Sequence, residues 1–187
     1  MNIAQQMKEK AVPMLKAIGI TMILNFVCYA FLAQFIGAGK LDGYYSPFIA
    51  NLLASVSSTV LYAILFHWFY TTKANKRFLL DLKPDQAFSW KKEGRLFFKE
   101  ECVPFLILYA VFIVVFEIVV TFTVLLNTRM HWLAAYCYAF LFPLRISDDK
   151  LNLFLSPFLS VAVLVLLIWF LALFGRKRLY KKLKNGF

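Results

Sequence analysis

Four long apolar runs constrain this chain more than any other feature. A helix needs roughly 20 apolar residues to cross about 30 Å of hydrocarbon, and residues 14–37, 47–70, 103–126 and 156–174 form runs of about that length or longer. Of the 187 residues 61% are hydrophobic and only 17% are charged, whereas about a quarter of the residues in soluble domains are charged. We therefore expect an all-α integral membrane protein with four transmembrane helices, folded as a single transmembrane domain over residues 1–187.

The basic residues are unevenly distributed around these runs. Seventeen of the 21 Lys and Arg lie near the N-terminus, in the loop 71–102 or in the C-terminal tail. The positive-inside rule then predicts a multi-pass protein of the plasma (inner) membrane, with both termini and this loop in the cytoplasm. A fifth apolar stretch, 131–144, is too short for a span, and a crossing there would put the basic tail outside. We expect it to form a short extracytoplasmic interfacial or re-entrant helix.

The two halves of the chain share short motifs at the starts of their apolar runs. Val-Pro occurs at 12–13 and 103–104, and Ser-Pro-Phe occurs at 46–48 and 156–158. This pattern favours a tandem 2+2 repeat in parallel orientation, an arrangement found in some transporters. The alternative is that Ser and Pro, which are common at helix starts, recur here by chance.

Glu117 is the acidic residue that lies well inside an apolar run. Burying its charge costs at least about 2.5 kcal/mol, so we expect its side chain to be protonated or paired. Polar residues at similar depth complete a predicted intramembrane polar cluster of Glu117, Asn25, Ser57, Ser58, Thr59 and Thr121. The cluster could serve cation or proton coupling or ligand binding, or it could only join helices by hydrogen bonds.

Small residues in the second run indicate close helix packing, because membrane helices associate through small side chains that let their backbones approach. They recur at four-residue spacing in two rows, Ala50, Ala54, Ser58 and Ser55, Thr59, Ala63. Two rows suggest more than one neighbour, so we expect the second run to be the central helix.

The C-terminal tail is expected to lie against anionic lipid, because each Lys or Arg near such a surface contributes about 1 kcal/mol. The residues of this predicted contact are Arg176, Lys177, Arg178, Lys181, Lys182 and Lys184. The alternative is that they only fix the topology. In the loop, residues 86–101 are moderately amphipathic, which predicts a helix on the membrane surface or one that docks a soluble partner.

The sequence contains no motif for a particular chemistry. It lacks a phosphate-binding glycine loop, a nucleophile elbow and a zinc-protease motif, and its three cysteines are scattered. We therefore expect no catalytic residue, metal or cofactor, and the basic loops lack the folds that bind nucleic acid. The first run is too long for the apolar core of a signal peptide and lacks an evident small-residue cleavage site, so we expect it to remain as an anchor.

These observations favour a non-enzymatic subunit, scaffold or partner module of a membrane complex, associated with another membrane protein or with itself. The alternative is a small oligomeric transporter or channel that uses Glu117 as an intramembrane carboxylate. A second alternative is a lipid-modifying membrane enzyme.

Overall fold

The prediction of an all-helical chain is confirmed for the residues that the structure describes. A computed structural model describes residues 3–37, 47–80, 87–125 and 150–184, which form no strand. The helices are α1 (Ile3–Gly37), α2 (Pro47–Phe66), α3 (Thr72–Leu80), α4 (Trp90–Phe97), α5 (Val103–Leu125) and α6 (Lys150–Lys184). The predicted outer helix at 131–144 lies outside the described residues.

Two π-helical segments join these helices end to end. His67–Thr71 connects α2 to α3, and Phe98–Cys102 connects α4 to α5. At the end of each segment a backbone N–H donates to the carbonyl five residues earlier, from Thr72 to His67 and from Val103 to Phe98. Residues 47–80 and 90–125 are therefore two continuous helices, each of which contains one π turn.

The first and the last described helices, α1 and α6, extend well beyond their apolar runs. α1 begins at Ile3 and contains Pro13, and α6 begins at Lys150 and contains Pro157. The shared motifs suggested helix starts at these prolines, and that interpretation was wrong for both. Proline removes one backbone hydrogen bond, but in membrane helices other groups compensate for this loss. Among the prolines of the described residues, only Pro47 is the first residue of a helix.

The prediction of four spans is not confirmed. Among the described residues two segments are long and apolar enough to cross a membrane, Glu9–Cys28 with 20 residues and Pro157–Leu183 with 27. These two helices give weak support for a membrane location. The helices α2 and α5 do not meet the same criterion within the described residues, so their assignment as spans remains a proposal.

Aromatic side chains dominate the interior between the helices. Phe66 of α2 packs on Phe105 of α5 with 4.7 Å between ring centroids, and Phe105 packs on Tyr109 at 4.5 Å. The buried hydroxyls of Tyr62 and Tyr109 are hydrogen-bonded to each other, so two polar groups are satisfied inside an apolar core. The helix α2 contacts both α1 and α6, as expected of a central helix.

Candidate functional site: two buried charge networks

Arg176 of α6 is the centre of a network of buried polar side chains. Only 1% of the residue is exposed. Its Nε donates to Asn75 Oδ1 at 3.1 Å, and its Nη1 donates to Glu93 Oε2 at 3.1 Å. The guanidinium also lies 3.9 Å from the ring centroid of Phe78, an arrangement in which a cation is attracted to the aromatic face. This charge is therefore compensated on several sides.

The partners of Arg176 are themselves held by further hydrogen bonds. The other carboxylate oxygen of Glu93 accepts from the Tyr180 hydroxyl at 3.0 Å, and Asn75 Nδ2 donates to the Ala172 carbonyl at 3.1 Å. Glu93 also lies in the first turn of α4, where the helix dipole favours a negative charge. We call Asn75, Glu93, Arg176 and Tyr180 the Arg176 network, and it joins α3, α4 and α6.

A second network is centred on Glu101, in the π segment before α5. Its Oε1 lies 2.8 Å from Lys10 Nζ, and its Oε2 accepts from the Tyr70 hydroxyl at 2.9 Å. Lys10 also donates to the Glu100 carbonyl at 2.6 Å. We call Lys10, Tyr70 and Glu101 the Glu101 network. It connects α1 to both π segments and thereby to the helices on either side of them.

The π segments place residues of the Glu101 network. A π turn inserts one residue into the helical register and often marks a functional position. Tyr70 lies in the first segment and Glu101 in the second, and the two side chains meet. In the first segment the His67 carbonyl accepts the Thr72 backbone N–H and also the Thr71 hydroxyl at 2.7 Å, and that hydroxyl contacts His67 Nδ1.

A small void lies next to Glu101. Its volume is about 10 Å³ and its lining includes Met14, Phe97 and Cys102. A void of this size holds about one water molecule and is too small for a larger ligand. Burial and the adjacent Glu101 carboxylate raise the pKa of the Cys102 thiol to about 12, so this thiol stays protonated at neutral pH. Its chemistry is that of an apolar core residue.

The predicted polar cluster is described only in part. The side chains of Glu117 and Thr121 lie outside the described residues, so their proximity to Asn25 stays a prediction. Asn25, Ser58 and Thr59 are buried, and Ser57 is exposed. Thr59 donates to the Ser55 carbonyl one turn back at 2.8 Å, and Ser57 donates to that of Leu53 at 2.8 Å.

Two buried polar residues of α1 have no hydrogen-bond partner among the described residues. They are Thr21 and Asn25, which are 0% and 1% exposed, and the unpaired atoms are Thr21 Oγ1 and Asn25 Oδ1 and Nδ2. Their four-residue spacing puts both on one face of α1. A buried polar atom without a partner costs about 1–3 kcal/mol, so this pair is a second candidate site.

The residues predicted to pack helices are also only partly described. Ala63 and Ser58 are buried and Ser55 is half-buried, whereas the side chains of Ala50 and Ala54 lie outside the described residues. The buried members are consistent with the contacts of α2 to two other helices.

The structure separates Arg176 from the rest of the predicted lipid-contacting tail. The side chains of Lys177, Arg178, Lys181 and Lys182 are exposed, and Lys184 lies outside the side chains described. Arg176 was expected to contact lipid, but it is buried and paired with Glu93. It is therefore an interior residue, because α6 continues as a helix through the tail and turns this position towards α3 and α4.

Neither network was predicted from the sequence. Both Glu93 and Glu101 lie in the segment predicted to be amphipathic. Their eight-residue spacing puts them on nearly the same face of a helix, together with Phe97, and this alignment was a usable signal. That segment packs against α6 of its own chain, which corrects the expectation of a helix lying only on the membrane surface.

Within the described parts of the chain, no group of three or more His, Cys, Asp or Glu could hold a metal ion. Comparison with known proteins gives no relative, because no family model, no curated protein and no solved structure matches this chain.

Proposed function

We propose that this chain is a non-enzymatic subunit of a membrane complex, in which four membrane spans carry a rigid part at one membrane face. This part, which we call the head, consists of α3, α4 and the ends of α1 and α6 that the charge networks join to them. The observation that supports this proposal most directly is the pair of buried charge networks. Among the described elements, they join α1, α3, α4, α6 and both π segments through side-chain hydrogen bonds. The charged groups of Lys10, Glu93, Glu101 and Arg176 all take part in these contacts. Such an arrangement suits a module with a fixed shape.

The proposed spans are 14–37, 47–70, 103–126 and 156–174, with both termini in the cytoplasm. Two of them overlap the apolar segments described above. The helix α2 has 20 residues and α5 has 23, which at about 1.5 Å per residue is enough to cross about 30 Å of hydrocarbon. Both charge networks then lie at the cytoplasmic face, where eight basic residues of the loop 71–102 also lie.

Large apolar side chains project outward from the proposed spans and offer surface for a partner. Examples on three helices are Ile23, Val114 and Leu166, each more than half exposed. Lipid covers such side chains in an isolated protein, and a neighbouring membrane protein covers some of them in a complex. The proposed partners are therefore anionic lipid at the basic head and another membrane protein, or a second copy, along the spans.

Native mass spectrometry of the tagged protein, gently extracted from its own host membrane, tests this proposal. We expect an unlike subunit at fixed stoichiometry. Paired variants then locate the interface: tryptophan substitutions at Ile23 and Val27 on α1, and at Leu166 and Phe170 on α6, with unchanged thermal unfolding as the requirement for each. One pair should release the partner while the other retains it. Recovery of the chain only as a monomer contradicts the proposal, whereas recovery only as a homo-oligomer contradicts an unlike subunit and favours the oligomeric transporter described next.

A second candidate function is a small oligomeric transporter or channel, and one observation favours it. Thr21 and Asn25 are buried polar residues without a hydrogen-bond partner among the side chains that the structure describes, and Glu117 belongs to the proposed span packed against α1. Polar groups inside a membrane commonly mark a pathway for an ion or a substrate. Cation or proton flux into proteoliposomes that is lost on Glu117→Gln or Asn25→Leu, with expression and folding intact, would establish this function instead.

A further inference from the structure

A groove of about 450 Å³ lies between the helix that contains α4 and α5 and the helix α6. Its lining residues are Gly94, Arg95, Phe98, Lys99, Val103 and Trp169. This volume falls within the range of ordinary ligand-binding pockets. Phe98, Val103 and Trp169 make the groove mostly apolar, and Arg95 and Lys99 add two positive charges.

Trp169 and Gly94 shape the groove together. The indole Nε1 of Trp169 donates to the Gly94 carbonyl at 3.0 Å. This contact requires a glycine, because a Cβ at position 94 would lie 2.9 Å from Trp169 Cζ2. The indole is therefore fixed against the backbone of α4 and forms a rigid apolar wall.

The two cations of the groove differ in their ion pairing from the cations of the two charge networks. Arg95 and Lys99 are four residues apart, which puts them on one face of the helix, and both are exposed. Neither has an ion-pair partner among the described residues, whereas Lys10 and Arg176 are paired with carboxylates. Two unpaired positive charges beside an apolar groove complement a ligand that combines a negative charge with a hydrocarbon chain.

The groove lies where the polar part of the chain meets the third apolar run, as expected at a membrane boundary. Val103 begins the third apolar run, and the residues before it in α4 are mostly polar. Trp is enriched at such boundaries, and anionic lipids concentrate in the cytoplasmic leaflet. We propose that the groove binds one anionic phospholipid, with an acyl chain against Phe98, Val103 and Trp169 and the headgroup phosphate at Arg95 and Lys99. This inference rests on the membrane placement proposed above.

Quenching of Trp169 fluorescence by brominated lipids tests the proposal in the purified full-length chain. The variant Trp68→Phe/Trp90→Phe/Trp132→Phe retains only Trp169 and is reconstituted in vesicles containing brominated phosphatidylglycerol or brominated phosphatidylcholine at equal mole fraction. We expect stronger quenching by the anionic lipid. In this background Arg95→Gln/Lys99→Gln should reduce the preference about fivefold or more, since each cation near an anionic surface favours binding by about fivefold.

Matched variants make each outcome decisive. Lys91→Gln/Lys92→Gln removes two exposed charges of the same helix that do not line the groove, and it should change the preference less than twofold. Arg95→Lys/Lys99→Arg keeps both charges and should retain the preference, which separates loss of charge from loss of folding. Equal quenching by both lipids, or equal effects of the two glutamine pairs, overturns the proposal. This test needs no protein partner, so its failure is distinguishable from the absence of an unlike subunit.

Discussion

Arg176 and Glu93 lie 83 residues apart in the chain, and 3.1 Å separates the guanidinium Nη1 from the carboxylate Oε2 in a fully buried ion pair. Such a pair contributes little compared with a well-packed apolar pair, but removal of one partner leaves an uncompensated buried charge. The pair therefore makes the position of α4 against α6 specific. If these two helices packed through the same faces in a different register, each charge would be buried without its partner.

Substitution of Arg176 by Met should lower the free energy of unfolding by about 3–5 kcal/mol. The matched control is Arg178→Met, which removes an exposed charge two residues away and should change stability by about 0.5 kcal/mol or less. The double variant Arg176→Met/Glu93→Met should lose less than the sum of the two single variants. The free energy of unfolding is measured by denaturation in detergent micelles for the parent, these three variants and Glu93→Met alone. Equal effects of the substitutions at 176 and 178 would show that the ion pair does not stabilise the fold.

Lys10 should hold the N-terminal end of α1 against the second π segment. Lys10→Met removes the contacts to Glu101 and to the Glu100 carbonyl, and hydrogen bonds to charged groups contribute about 1.5–3 kcal/mol each. We expect the backbone amides of residues 3–12 to exchange hydrogen about tenfold faster or more, as measured by mass spectrometry. Lys16→Met, at an exposed position of the same helix, should leave this rate unchanged. Unaltered exchange in the Lys10 variant would mean that other contacts hold this end of α1.

The sequence predicted the helical class because long apolar runs have one solution in a membrane, where every backbone polar group must bond within its own helix. Because only the apolar runs were used to predict helices, each predicted helix ended where its apolar run ended. The extensions of α1 and α6 beyond those runs and the helix α3, which continues α2, are polar. They are stabilised by contacts such as that of Asn75 with Arg176, which lie 101 residues apart. A pairing of that range leaves no local pattern, so Arg176 was grouped with the exposed basic residues that follow it.

Gly94 is the glycine at which close packing opposes helix propensity. Alanine normally stabilises a helix interior by about 1 kcal/mol relative to glycine, but a Cβ at Gly94 would lie 2.9 Å from Trp169 Cζ2. The indole cannot move away without weakening its hydrogen bond to the Gly94 carbonyl. We expect Gly94→Ala to destabilise the protein by about 1–3 kcal/mol, the range typical of overpacking.

Gly19→Ala is the matched control for that prediction. A Cβ at Gly19 would meet nothing within 4 Å, so alanine should leave the melting temperature equal or raise it, through helix propensity alone. Thermal unfolding followed by tryptophan fluorescence measures both variants. A melting temperature of the Gly94 variant equal to or above that of the parent would show that Trp169 has room to shift.

Cys102 should react very slowly with maleimide in the folded protein. Its side chain is buried, and its pKa of about 12 lies above the ordinary value of 9.0. Because the thiolate is the reactive form, the labelling rate at neutral pH should be about a thousandfold below that of an exposed thiol. It should rise about tenfold per pH unit from pH 7 to 10 without a plateau, as long as the protein stays folded.

The test for Cys102 uses Cys28→Ser/Cys137→Ser, which retains one thiol. Unfolding in denaturing detergent should restore rapid labelling with an ordinary pH dependence, which controls for loss of the thiol by oxidation. A labelling rate in the folded state that levels off near pH 9 would indicate a thiol of ordinary pKa that is open to solvent.

Residue 83 is the position at which a topology reporter separates four spans from two. If only α1 and α6 cross the membrane, a reporter fused after Lys83 lies on the side opposite the N-terminus. If α2 and α5 also cross, this fusion returns to the side of the N-terminus. Because eight basic residues occupy the loop 71–102, the positive-inside rule requires the second result. We expect a fluorescent cytoplasmic reporter after Lys83 to be active and an alkaline phosphatase reporter there to be inactive.

Fusions at two further positions complete this test. Reporters after Lys40 should show the opposite pattern, because only the first span precedes them, and reporters after Phe187 should match those after Lys83. An active phosphatase after Lys83 together with an inactive one after Phe187 would place the basic loop outside and leave two spans. In that case Glu93 and Glu101 would lie outside, whereas their partners Arg176 and Lys10 would lie at the cytoplasmic ends of α6 and α1, so this result would also contradict both charge networks.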